Sequence, residues 1–139
     1  MKDKKEFIYR DKVRYSDCDM HQHLNHARYF SFMEQARVEF CKKLGFNQTG
    51  KGKDYKSIPF IIVSAHCDYK APAYLDDELI VRVTTTHIGN TSFRLDYRIE
   101  DATTRKLLAE AYTVQLYFDY NKMKPVPIPK VLKAKLQKK

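Results

Sequence analysis

The chain has 139 residues, with 26 lysines and arginines against 17 aspartates and glutamates, for a formal charge of +9. That length makes one domain that buries roughly two thirds of the surface its unfolded chain exposes, so no disulfide or metal staple is needed; Cys18, Cys41 and Cys67, odd in number and without paired zinc spacing, read as reduced packing residues. The longest apolar run, 58–63, is far too short to cross a bilayer, and the charged start leads into no signal core, which excludes a membrane-embedded class and leaves a soluble cytoplasmic protein as the expectation.

In chain order, Phe7, Tyr9, Val13 and Tyr15 alternate with Ile8, Arg10, Lys12 and Arg14, which predicts a half-buried strand over 6–15. A polar loop follows. From Asn25 or His26 the period becomes helical: Tyr29, Met33, Ala36, Phe40 and Leu44 form one stripe, widened by Phe32 and Cys41. Asn25 is the expected N-cap and Gly45 the expected stop. Residues 47–57, polar with two glycines, read as a surface loop of the kind that serves as a lid or ligand contact. Four strands are expected over 58–69, 77–88, 91–101 and 106–119. The third is the clearest, with Phe93, Leu95, Tyr97 and Ile99 alternating with Arg94, Asp96, Arg98 and Glu100. Turn chemistry at Gly89-Asn90 and at 101–104 predicts antiparallel hairpins. Pro125, Pro127 and Pro129 are expected to end the last strand, and the lysine-rich stretch 130–139 to form a basic, partly ordered tail. The order of elements is α+β, an antiparallel sheet covering a single helix.

Two carboxylates, Asp17 and Asp19, stand immediately before that helix. A helix start offers unpaired N–H groups and the positive end of a dipole, so it can hold a developing oxyanion while a nearby carboxylate acts as base or nucleophile. Each residue also has an ordinary structural role: Asp19 as a turn residue, Asn25 as a cap, His23 as a hydrogen-bonded loop histidine, and Glu34 with Arg37 as an ion pair three apart on the helix. Asp17, Asp19, His21 and His23 alternate like ligands but repeat no established spacing, so no metal is expected. Arg94 and Arg98 flank Tyr97 on a strand, yet the alternation puts the ring on the opposite face, which argues against a nucleic-acid platform. The positive charge suits an acidic partner or a phosphorylated ligand.

Asp17, Asp19, His23, Asn25 and Tyr29, followed by Glu34 and Arg37, resemble the loop and helix of the hotdog-fold thioesterases of the 4-hydroxybenzoyl-CoA thioesterase type. So do 69–74 before the acidic turn Asp76-Asp77, 89–93, and 127–129. The resemblance implies a single hotdog domain over 1–139, its antiparallel sheet wrapped around one long helix. It also implies hydrolysis of acyl-CoA to a free acid and CoA without any cofactor beyond the substrate's own coenzyme A. Asp19 would be the catalytic carboxylate and the His26 backbone N–H the carbonyl-polarising donor, with His23 and Asn25 beside them; Glu34 and Asp17 are the fallback carboxylates. Homodimers or homotetramers are implied as well. An acyl-carrier-protein substrate is the close alternative, and a non-catalytic acyl-CoA-binding module the more distant one. Two positions depart from the family pattern: Gln22 stands where glycine is usual, and His26 replaces an asparagine. Gly89-Asn90-Thr91 carries no charge, so CoA phosphates would need lysine or arginine elsewhere.

Overall fold

Period-two alternation builds the sheet, and every strand pairs antiparallel with its neighbours. In the computed structural model, which describes residues 6–45 and 60–137, β1 (Phe7–Lys12), β2 (Phe60–Tyr69), β3 (Glu78–Thr86), β4 (Ser92–Asp101) and β5 (Leu107–Asp119) lie in the order β1-β3-β4-β5-β2. A two-residue β6 (Lys124–Pro125) pairs with the end of β5. The loop expected over 47–57 lies outside the described residues. The long helix α1 (Arg28–Lys43) packs chiefly over β3 and β1, burying Tyr29, Phe32, Met33, Ala36 and Cys41 against Val81, Val83, Phe93, Leu95, Tyr97 and Ile99. Fully burying side chains of that size gains about 1.5–3 kcal/mol each, which fixes the sheet's register against the helix.

Several expectations change in three dimensions. β1 ends at Lys12, because Val13 turns to bond with the 76–77 turn: its N–H donates to the Asp77 carbonyl at 3.0 Å and its carbonyl accepts from Asp76 at 3.0 Å. Val13 is buried as expected, but Tyr15 sits on a short 3-10 turn (Tyr15–Asp17) and is exposed to solvent. The helix begins at Arg28 rather than at Asn25 or His26. Asn25 caps the turn ahead of it, its Oδ1 accepting the Ala27 N–H at 3.1 Å and its carbonyl accepting the Arg28 N–H at 2.9 Å. Gly45 stops the helix as expected, with φ +99 and its N–H on the Lys42 carbonyl.

The expected basic tail is instead a second helix, α2 (Lys130–Gln137), so the fold has two helices rather than one. Lysines on its outer side concealed a pair four apart, Leu132 and Leu136, which join the main core. Lys135 completes the contact by donating from Nζ to the Leu44 carbonyl at the end of α1, at 2.9 Å. Pro125 does not end the strands either; it lies within β6.

The outer face of the sheet carries ion pairs in rows. Arg82 and Arg98 both reach Glu100, at 3.1 and 3.3 Å, and Arg94 bonds Asp96 at 2.7 Å while its guanidinium lies 4.0 Å from the Tyr112 ring centre. Tyr97 is buried on the other face. The basic residues singled out for a nucleic-acid reading are thus engaged by carboxylates, with no ring beside them from Tyr97. Among the described residues no helix is long and apolar enough to cross a membrane.

Candidate active site

The loop between β1 and α1 folds into a small hairpin. Cys18 and Leu24 face each other across an isolated bridge, the Asp19 N–H donates to the His23 carbonyl at 3.1 Å, and the Gln22 N–H donates to the Asp19 carbonyl at 3.0 Å. Closing so tight a turn requires a left-handed residue, and Gln22 supplies it at φ +67. The departure from the family glycine therefore leaves the backbone conformation in place, with a side chain in a region that costs an L-residue about 1–2 kcal/mol. Leu24, fully buried, anchors the hairpin by donating its N–H to the Ala73 carbonyl at 2.8 Å. The chain then returns to its start, with the Asn25 N–H on the Asp17 carbonyl at 2.9 Å.

Within this frame the two aspartates differ. Asp17 is buried and its Oδ2 accepts the Arg14 N–H at 2.9 Å, so its carboxylate holds the 3-10 turn. Asp19 is partly exposed; Oδ1 accepts the His21 N–H at 2.9 Å and lies 4.0 Å from the His23 Nδ1, while Oδ2 has no hydrogen-bond partner among the described residues. The His23 ring stacks on His21 and meets the edge of Tyr74. Among the described residues no group of three or more histidines, cysteines or acids is arranged to hold a metal ion.

At the helix start, the His26 carbonyl accepts two bonds, from the Tyr69 hydroxyl at 2.9 Å and the Tyr29 N–H at 3.3 Å. Its own N–H finds no acceptor among the described residues. The Tyr69 ring meets His26 and Tyr29 edge-on, at 6.1 and 5.0 Å between centres. Burial raises the Tyr69 phenol above its ordinary value, with Cys67 adding to the effect, so it remains a neutral donor to that carbonyl. In sequence Tyr69 stands far from the loop, which hides its role, and only the β2 register brings it to the helix start. Phe60 belongs to the core and Tyr74 is exposed beside His23.

Glu34 lies elsewhere. Six residues past Arg28 at ~1.5 Å each, it stands about 9 Å along the helix, 68% exposed and 3.8 Å from Arg37. The hairpin and helix start therefore gather Asp19, His23, Asn25, His26 and Tyr69 at one end of the molecule, and leave Glu34 outside.

Known proteins share this sequence pattern and fold. A profile of the thioesterase-like superfamily matches residues 13–136. The acyl-CoA thioesterase YbgC of Haemophilus influenzae is 31% identical over 128 residues, 92% of each chain. A 1,4-dihydroxy-2-naphthoyl-CoA hydrolase of Synechococcus elongatus is 26% identical over 132 residues, covering 95% of this chain and 96% of its own. The structure of a predicted thioesterase from Bacillus stearothermophilus superposes with a TM-score of 0.83 at 25% identity, covering 95% of this chain and 94% of the other. Sequence match across nearly the whole chain and agreement of the fold lead to one conclusion: this protein belongs to the thioesterase-like superfamily.

Proposed function

We propose that the protein hydrolyses acyl-CoA thioesters, with Asp19 as the catalytic carboxylate and the His26 N–H as the donor to the thioester oxygen. The observation that carries this reading is the peptide that joins Asn25 to His26: its carbonyl, that of Asn25, accepts the Arg28 N–H at 2.9 Å, and its N–H, that of His26, has no acceptor among the described residues, while Tyr69 holds the other side of His26 through its carbonyl. A donor fixed before the reaction stabilises the developing oxyanion without reorganising, an effect worth about 3–4 kcal/mol where one such donor has been removed. Asp19, held at Oδ1 by the His21 N–H, presents Oδ2 as the base. Oδ2 takes a proton from water, the water oxygen adds to the carbonyl carbon, and the oxyanion leans on His26. The carbon–sulfur bond then breaks, and the thiolate leaves with the proton that Asp19 returns. His23 and Asn25 support the geometry rather than reacting: one lies against Asp19, the other shapes the turn.

The functional unit is proposed to be at least a homodimer. Among the described residues β2 ends the sheet with one side unpaired, and its exposed Ile62 and Val63 form an apolar edge of the kind isolated proteins blunt. Pairing of two β2 edges would cover it and extend the site across the boundary.

Thiol release from a panel of acyl-CoA thioesters, corrected for the protein's own cysteines, tests the assignment. The Asp19→Asn variant is expected to lose at least about two orders of magnitude in kcat. Single turnover in heavy-oxygen water separates base from nucleophile, since only attack by Asp19 itself leaves label in the aspartate. Turnover unharmed in Asp19→Asn would move the chemistry to Glu34. Release from acyl-carrier protein alone would change the substrate, and tight acyl-CoA binding without release would make the protein a binding module.

A further inference from the structure

We infer that a buried polar cluster of Arg37, Tyr97, Thr113 and Gln115 receives the far end of the acyl group and selects acyl chains ending in a carboxylate; this specificity rests on the thioesterase reading above.

These four side chains meet beneath α1 in an otherwise apolar interior. The Tyr97 and Thr113 hydroxyls are 2.7 Å apart, and the Gln115 amide bonds the same Thr113 oxygen. Gln115 is fully buried, and its second amide atom has no partner among the described residues. The Arg37 guanidinium lies against the Tyr97 hydroxyl with its side chain only 14% exposed, yet its one carboxylate neighbour among the described residues, Glu34, stands 3.8 Å away and 68% exposed. Cys41, also near Arg37, supplies no charge, because burial pushes its thiol up to about 11.

A guanidinium this far from water normally has a carboxylate buried with it, since an uncompensated buried charge is costly. Gln115 provides the second contact. With its amide turned so that the oxygen accepts from Thr113, Thr113 accepts from Tyr97, and the two N–H donors take the place of the atom that lacks a partner among the described residues. The cluster then offers only donors, one of them cationic, which is the pattern that binds a carboxylate.

The route to it starts at the catalytic end. On the inner face of β2, Tyr69, Cys67 and Ala65 succeed one another opposite Ala109, Ala111 and Thr113. Since α1 packs chiefly over β1 and β3, the small side chains at 65 and 67 stay partly or fully exposed. In this inference an acyl chain lies along them from Tyr69 to Thr113. At ~3.3 Å per strand residue that path is about 13 Å long, and α1 gives about 14 Å from Arg28 to Arg37 at ~1.5 Å per residue. An extended chain advances ~1.2 Å per bond, so about eleven bonds separate the thioester carbon from the cluster.

Three CoA thioesters of matched length, about eleven carbons and ending in methyl, hydroxyl or carboxylate, test the inference through both binding and hydrolysis. The carboxylate-ended thioester is expected to bind and to turn over, by kcat/KM, about tenfold or more better than the methyl-ended one. That ratio should collapse toward one in Arg37→Met and shrink in Gln115→Leu, the latter serving where the former fails to fold. Equal binding and equal turnover of the three would overturn the inference while leaving the hydrolase standing. So would a preference that survives both substitutions. A binding preference intact without turnover of any thioester would support the cluster's role and overturn the hydrolase reading instead.

Discussion

Tyr69 and Gln22 show how single residues set the site. Tyr69 steadies the residue whose N–H is proposed to meet the oxyanion, through one 2.9 Å bond to the His26 carbonyl on its other side. Tyr69→Phe keeps the ring packing against Tyr29 and removes only that bond, so kcat is expected to fall about tenfold, the worth of one net hydrogen bond, with KM little changed. An unchanged kcat would show that the helix start orients the peptide without it. Gln22 sits at φ +67, where glycine has no steric penalty but adds unfolded-state entropy. Gln22→Gly is therefore expected to be neutral or to stabilise by up to about 1 kcal/mol, and Gln22→Val to destabilise. Urea midpoints of the two variants decide it; a clearly less stable glycine variant would contradict the strain argument.

At the scale of elements, α2 is the part of the fold with the clearest mechanical duty. Leu132 and Leu136 enter the main core and Lys135 caps α1, so Leu132→Ala is expected to cost about 2–5 kcal/mol in denaturation. A loss under half a kcal/mol would fit a frayed tail instead. Helix α1 carries a pH-dependent term through Cys41, whose thiol burial lifts from 9.0 to about 11 against the pull of Arg37. The folded state holds this proton more tightly than the unfolded state. The stabilisation is thus complete below pH 9 and is lost as pH rises to about 11, an effect of about 2–3 kcal/mol. Wild-type stability should fall more steeply across that window than that of Cys41→Ala. Parallel slopes would show that the thiol titrates alike in both states.

At the scale of the whole molecule, β2 has no strand on its outer side among the described residues and presents an apolar edge there. Val63 is 54% exposed there, so Val63→Lys should leave the folded subunit about as stable as before while driving the proposed dimer toward monomer in sedimentation. Hydrolysis should fall with it if the site spans the boundary. A dimer unaffected by the charge would place the contact elsewhere.

Local chemistry was legible in the chain alone. Alternation in 91–101 and the helical stripe from Tyr29 each repeat with a period that only one backbone geometry satisfies, and Gly45 marks a left-handed stop. Asp17, Asp19 and Asn25 stood out because their short polar side chains bond to backbone only a few residues away. The rest depends on contacts between distant segments. Leu132 and Leu136 look like part of a lysine-rich tail until α1 and the sheet give them a core to enter. Tyr69 gains its meaning from a strand register that places it on the His26 carbonyl. The polar side chains of Arg37, Tyr97, Thr113 and Gln115 lie far apart in sequence and meet only because the sheet closes against the helix.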